Sequence, residues 1–309
     1  MVFLLGVARS VFNPTVRAAF PSVVGRGDLT RANALIGGTF STSIMVGPAL
    51  GGLLVASIGV DAAFLADAVT YLVSAILLST VPLPRPRRES GEEAGFVHDL
   101  RSGFGYLLGA RVPLAVVVGA FLTILTINAT VPAEVFLARE TFKAGDAGYG
   151  LLVSLWGGGI VLGYASLVVL GDRINLVLLY FLSIFVGASA LVGTGLAPAF
   201  ALALGALTVE GAATGIDNVA TDTILQKRVP EAVLGRVFSI RFLAYSAGEA
   251  LAYPVGGLLV DTAGPRFTYL FAGLATATAG LLVLLAMIAV PTRGREQADQ
   301  APRHRAGKL

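Results

Sequence analysis

The pentapeptide GGLLV stands at Gly51–Val55 and again at Gly256–Val260. A chain rich in Gly, Leu and Val produces such strings by chance, so the flanks decide what the recurrence means. At the same offset of 205 residues Asn13 falls on Asn218, Leu29 on Leu234, Arg31 on Arg236, Ser41 on Ser246 and Gly59 on Gly264. Each copy reads as apolar helix, short basic loop, long apolar helix, tight turn, apolar helix. A repeat of that length predicts duplicated architecture rather than a short solenoid unit.

The solvent for that architecture follows from composition. Hydrophobic residues make up 55% of the chain and charged residues 13%, with a mean hydropathy of +0.81. Soluble domains carry about a quarter charged residues, so most of this surface must face lipid. The formal net charge is +3, but the basic residues sit singly in loops. No basic cluster alternates with aromatics as a nucleic-acid surface requires. Cysteine is absent, which removes disulfides, thiolate metal sites and cysteine nucleophiles. The two histidines, His98 and His304, lie far apart in polar segments, which argues against a histidine metal site or a Ser-His-Asp triad. The apolar start Val2–Val7 lacks a preceding basic stretch and is interrupted by Arg9, unlike a cleavable signal peptide.

A helix crosses a bilayer core with about 20 apolar residues. On that measure, spans are expected near 2–23, 32–57, 62–82, 113–137, 147–170, 175–195, 198–225, 236–260 and 267–290, the first carrying both Arg9 and Arg17. Loops on one side hold Arg26 and Arg31; Arg85, Arg87, Arg88, Arg101 and Arg111; Arg173; Lys227, Arg228 and Arg236; and the basic tail. The other side holds Arg139, Lys143 and Arg266. The excess places the long loop and the C-terminus in the cytoplasm. The chain then divides into 1–82, a first membrane unit; 83–111, a cytoplasmic linker; 112–291, a second membrane unit of six spans; and 292–309, a polar, disordered tail. Within the linker, "PLPRPRRESGEEAG" should be extended, while Val97, Leu100, Phe104 and Leu107 recur at helical spacing and predict an amphipathic helix on the membrane surface.

Four stretches resemble the major facilitator superfamily, in its branch of siderophore and macrolide exporters. "GPALGG" (Gly47–Gly52) resembles the antiporter motif of the fifth helix. "RGDLTRANAL" (Arg26–Leu35) and "VPEAVLGRVFSI" (Val229–Ile240) resemble the basic loops entering the fifth and eleventh helices. "LGDRIN" (Leu170–Asn175) resembles the second-half copy of the cytoplasmic loop motif. The resemblance implies an all-α membrane fold of two six-helix bundles, in which the nine spans match the fourth to the twelfth helix. GGLLV then closes the fifth helix in one half and the eleventh in the other. It further implies that the first three helices are missing, either because Met1 is not the true start or because the chain is a fragment.

Three sets of residues are candidates for chemistry. Gly47, Pro48, Gly51 and Gly52 allow close approach and bend a helix; the set reads as a gating hinge, which the resemblance ties to export, or as an ordinary packing face. Ionisable groups inside apolar spans are functional candidates by default. Glu210 and Asp217 lie seven residues apart on one helix face. Glu249 has Arg241 about two turns away, and Asn128 and Glu134 lie in the first span after the linker. Desolvation favours the neutral form of a carboxyl, so such groups can exchange protons; each also has a plain reading as an interhelical hydrogen bond. Trp156 lies deep in its span beside Gly157–Gly159, where it can line a substrate path. The triplet is no phosphate loop, since the following Lys and Ser/Thr are absent. In the third set, the resemblance has Asp172 capping the helix that begins near Arg31 and Arg173 pairing with Asp222 as a cytoplasmic gate. The alternative is a charged turn anchoring a helix. Val168 and Asn175 depart from the family, which has glycine there.

These readings point to a proton-coupled secondary transporter that exports a small amphipathic molecule by alternating access in the cell membrane. No metal and no cofactor are expected, and neither is enzyme chemistry; the partners are the lipid bilayer and a small-molecule substrate, not nucleic acid. The alternative is a non-transporting truncated membrane protein of the same fold, a fragment or a regulatory partner. Substrate identity and oligomeric state are not written in the sequence.

Overall fold

The structure is a computed structural model that describes residues 2–25, 27–80, 96–171 and 174–289. The described residues form helices and connecting turns: α1 (Val2–Val24), α2 (Leu29–Ile58), α3 (Val60–Thr80), α4 (Phe96–Gly109), α5 (Arg111–Asn128), α6 (Val131–Phe136, prolonged by a wide turn over Leu137–Thr141), α7 (Gly145–Leu170), α8 (Leu176–Leu196), α9 (Phe200–Arg228) and α10 (Glu231–Ala289). A helix lies over each of the nine expected apolar stretches. Six stretches among the described residues are long and apolar enough to cross a membrane, the longest being Glu231–Ile288.

The duplication is visible in backbone geometry. Gly59 separates α2 from α3 with φ 83° and ψ 166°, and Gly264 breaks α10 with φ 83° and ψ 169°. Both lie in the left-handed region that side-chain-bearing residues avoid, so the same hinge ends the two copies of GGLLV. Upstream, the paired positions Leu29 and Leu234 are 0% and 1% exposed.

One expected span is broken. The stretch 113–137 is interrupted after Asn128, because Pro132 has no amide to donate to the Asn128 carbonyl. The chain instead turns with Thr130 N–H donating to the Ile127 carbonyl at 2.9 Å, and restarts with Ala133 N–H on the Thr130 carbonyl at 2.8 Å. Gly256, of the second GGLLV, lies against this break, and a Cβ there would run into the Ala129 carbonyl. The linker helix α4 docks on α5 and α10. Leu107 is buried in the core with Leu100 and Tyr106 packed around it, while Leu108 is 74% exposed. Gly103 fits against Ile240 and Arg236, so the helix rests on the bundle end as well as presenting an apolar edge outward. The remaining linker, 81–95, and the tail lie outside the described residues.

Within the second half, α7 and α9 pack through reciprocal glycines. Cβ atoms at Gly159 and Gly163 would run into the carbonyls of Thr208 and Ala212; those at Gly211 and Gly215 would meet the carbonyls of Trp156 and Ile160. Two small-xxx-small faces thus bring the backbones together, the packing that lipid-embedded helices use in place of a hydrophobic drive. Around this pair, α8 packs on α9 and α10, and α5 packs on α10. Tyr180 anchors the core from α8, fully buried, with its hydroxyl donating to the Val116 carbonyl at 3.3 Å. The first half meets this bundle near one end, the one marked by Arg31, Arg111, Arg228 and Arg236. There α2 reaches α7 and α9, and α1 reaches α10 and α9. Farther along, α2 exposes Phe40, Leu50 and Ile58, and the apolar window of α3 is 0% buried.

Candidate functional site

At the basic end a buried polar seam joins the two halves. From α2, Asn33 donates through Nδ2 to Gln226 Oε1 at 2.6 Å and to Thr223 Oγ1 at 3.0 Å, both on α9. Gln226 donates in turn to the Arg17 carbonyl on α1 at 3.0 Å. The Arg17 guanidinium pairs with Asp222 Oδ2. Asp222 Oδ1 lies 3.2 Å from Arg241 Nη1 on α10, a charge contact without the alignment of a hydrogen bond. Asn33, Asp222, Thr223 and Gln226 are each 5% exposed or less. The apolar flank is Ala34, Tyr164, Leu167 and Val219, with Gly37 seated on the Tyr164 ring. Each buried neutral hydrogen bond contributes about 0.5–1.5 kcal/mol net, and one left unpaired costs about 1–3 kcal/mol.

Toward the opposite end lie the carboxyls. Glu210, 1% exposed, accepts from Trp156 Nε1 and from the Thr214 hydroxyl at 2.8 Å. The glycine contact between α7 and α9 places that indole, because Gly211 sits on the Trp156 backbone. Glu134, on α6, lies within electrostatic reach of Glu210 and of the fully buried Tyr269. One turn on from Glu249, the Tyr253 hydroxyl donates to its Oε1 at 3.3 Å. Asp217 has a buried oxygen without a hydrogen-bond partner and lies within reach of Arg241 and Glu210. Asn218 faces Tyr164. Asn128 ends α5 at the backbone break. Among the described residues no group of three or more His, Cys, Asp or Glu side chains is arranged to hold a metal ion.

The structure places several of the residues read from the sequence. Asp222 is held by Arg17 and Arg241, because α1 delivers a guanidinium to α9. Asp172 and Arg173 lie outside the described residues. Gly171, just before them, has φ 60° and lies against the Arg31 guanidinium, so the end of α7 reaches the start of α2. Arg241 makes an ion pair with Asp222. A Cβ at Gly47 would meet nothing within 4 Å, whereas Gly37 and Gly38 make the close approach to α7; the surroundings of Pro48, Gly51 and Gly52 lie outside the described residues. Asn175, the departure from the family pattern, caps α8: its Oδ1 accepts from the amides of Val177 at 3.1 Å and Leu178 at 3.2 Å. Sequence reasoning missed Asn33, Gln226 and the role of Arg17. Arg17 carried a signal, a charge inside an apolar stretch; the two amides stood next to loops and looked like ordinary helix ends.

Comparison with known proteins places this geometry. The model of a family described as transmembrane secretion effector, within the major facilitator superfamily, matches residues 1–308. The enterobactin exporter EntS of Escherichia coli O1:K1 is 27% identical over 292 residues, covering 93% of this chain and 69% of that protein. EntS of Shigella boydii serotype 18 is also 27% identical, with the same coverage. A crystal structure of the E. coli fucose:proton symporter shares the fold with a TM-score of 0.59 at 16% identity; the match covers 76% of this chain and 55% of that one, so this chain spans about half of that protein's length. The relatives are transporters rather than enzymes, and the chain belongs to the transmembrane secretion effector family of the major facilitator superfamily, as a multi-pass membrane protein.

Proposed function

We propose that this protein exports a small amphipathic molecule by alternating access, driven by the proton gradient rather than by a bound cofactor. The observation that carries this reading is the seam: the halves are joined through buried polar contacts at the basic end. Transporters of this build work by rocking one half against the other around a site near the midplane. The excess of Arg and Lys supports a cytoplasmic place for the seam end, and in this reading the seam closes the cytoplasmic side. Glu210, Asp217, Glu134 and Glu249 are then the candidates for proton exchange, because ionisable groups inside apolar spans are functional candidates by default. The EntS relatives export enterobactin by name, which makes enterobactin the first substrate to try.

The test is transport in inverted membrane vesicles energised by an imposed proton gradient, with radiolabelled enterobactin and, separately, the lipophilic dye ethidium. Uptake that depends on the gradient and is lost in Glu210→Gln together with Asp217→Asn supports the reading. Uptake of neither compound above empty vesicles, with the protein folded and inserted, overturns it.

A further inference from the structure

Where α4, α5 and α10 meet at the basic end they leave a groove of about 230 Å³ with apolar walls. Phe104 and Leu108 line it from α4, Leu114, Val118 and Phe121 from α5, and Leu243 from α10. Phe104, Leu108, Val118 and Leu243 are each at least 41% exposed, so the groove opens outward rather than into the core. On α5 the lining stripe begins one turn earlier, with Arg111, because positions 111, 114, 118 and 121 share one helix face. Arg111 is half-buried, and its Nε and Nη2 are buried with no hydrogen-bond partner among the described residues. A buried cation without a counter-charge is costly, so these unmet donors point to an anion. On α4 the exposed Arg101 lies on the face of Phe104 and Leu108 by the same spacing. Phe121 stands ten positions after Arg111, about 15 Å along the helix axis, which is half of the roughly 30 Å hydrocarbon core of a bilayer. An apolar groove one leaflet deep is thus headed by two arginines.

We propose that this groove binds an anionic phospholipid of the leaflet at the basic end, with the phosphodiester at Arg111 and one acyl chain along Leu114, Val118 and Phe121. The guanidinium fork matches the oxygens of a phosphate, and basic pockets at the ends of membrane helices take such head groups. The net negative charge follows from the two arginines, which favour a head group carrying no cation of its own. A soluble anion would answer Arg111 but leave the apolar walls uncovered. A second copy of the chain would cover the walls, but a two-fold contact sets the same patch against itself and would bring arginines to face arginines. The bound lipid touches α4, α5 and α10 at once, so it ties the linker helix to the second half of the chain. This site is independent of whether, and in which direction, the protein transports.

The chain contains no cysteine, so Ser239→Cys can carry a bimane fluorophore beside the groove, from an exposed position on α10 one turn before Leu243. Leu178→Cys on α8, at a residue 64% exposed, reports ordinary lipid contact. The full chain is placed in phosphatidylcholine nanodiscs containing a small fraction of either phosphatidylglycerol or phosphatidylcholine with a nitroxide quencher at the same acyl carbon. The ratio of the two quenching constants reads lipid preference and cancels label depth. It should favour phosphatidylglycerol about fivefold at Ser239→Cys, the worth of one arginine beside an anionic lipid, and be near unity at Leu178→Cys. Arg111→Gln should lower the Ser239→Cys ratio to that of Leu178→Cys. Ala247→Phe fills the groove from an exposed lining position on α10 and should do the same with Arg111 intact, which keeps the test independent of how α5 tolerates losing the arginine. Equal ratios at the two labels show ordinary surface lipid and overturn the proposal, as does a preference that survives either substitution. A preference abolished by inorganic phosphate at constant ionic strength assigns Arg111 to a soluble anion, and no quenching by either lipid assigns the groove to another chain; each of these overturns it too.

Discussion

The glycine triplet Gly157–Gly159 lets the α7–α9 contact be tested within three consecutive residues. A Cβ at Gly159 would run into the Thr208 carbonyl oxygen, with its carbon at 3.0 Å and the Ala212 amide nitrogen at 3.1 Å; at Gly157 or Gly158 it would meet nothing within 4 Å. Alanine gains about 1 kcal/mol of helix propensity over glycine at an interior position, and that gain is common to all three sites. The difference between Gly159→Ala and Gly157→Ala therefore isolates the cost of overpacking, about 1–3 kcal/mol. The cost is not relieved by a side-chain rotation, because the atoms in the way are α9 backbone. G159A should be less stable than G157A by that amount, roughly a five- to 150-fold change in the folded-to-unfolded ratio. Reversible unfolding in mixed micelles of mild detergent and dodecyl sulfate measures it, followed by circular dichroism and by the emission of Trp156, the one tryptophan of the chain. The reciprocal substitution G211A, whose Cβ would run into the Trp156 carbonyl, should behave like G159A. Equal stability of G159A and G157A would refute the claim that these helices meet backbone to backbone.

Elsewhere in the molecule, Asn33→Ala removes the donor to Gln226 and Thr223 and should cost about 1–3 kcal/mol for the buried groups left unpaired, read by the same micelle unfolding. Gly264→Ala places a side chain at φ 83° and should cost about 1–2 kcal/mol for the left-handed backbone, whereas Gly257→Ala, with open space around it, should be neutral or stabilising. Glu210→Leu removes the acceptor of the Trp156 indole, so the tryptophan emission maximum should shift while the helix content read by circular dichroism stays unchanged. Asn175→Ala should destabilise by about 0.5–2 kcal/mol through loss of the α8 cap, with Asn175→Ser recovering most of it.

Much of the architecture was legible in order along the chain. The apolar stretches, the duplicated GGLLV and the glycine at the same offset are local features, and the bilayer leaves helices as the way to satisfy backbone polar groups in a chain of this composition. The identical hinge at Gly59 and Gly264 follows from one residue type in one backbone conformation, which is why an offset in the sequence located it. The interruption after Asn128 was written there too, in Pro132, but the apolar run around it outweighed the missing amide in the reading.

The site was legible only as a set of residue types. Glu210, Asp217 and Arg241 stand out because charge inside an apolar stretch is costly anywhere, and that cost depends on the residue and its span alone. Their partners do not follow from such reasoning. Asp222 faces Arg17, far away in the chain, because α1 crosses the inner face of α9, and Asn33 meets Gln226 across a separation of 193 residues. The sequence by itself determined which segments enter the membrane, where they bend and which side chains are expensive to bury. Which of those side chains compensate one another was decided by helix packing, through glycines that bring α7 onto α9 and α2 onto α7, because only close approach of helices distant in sequence brings a buried charge to its counter-charge.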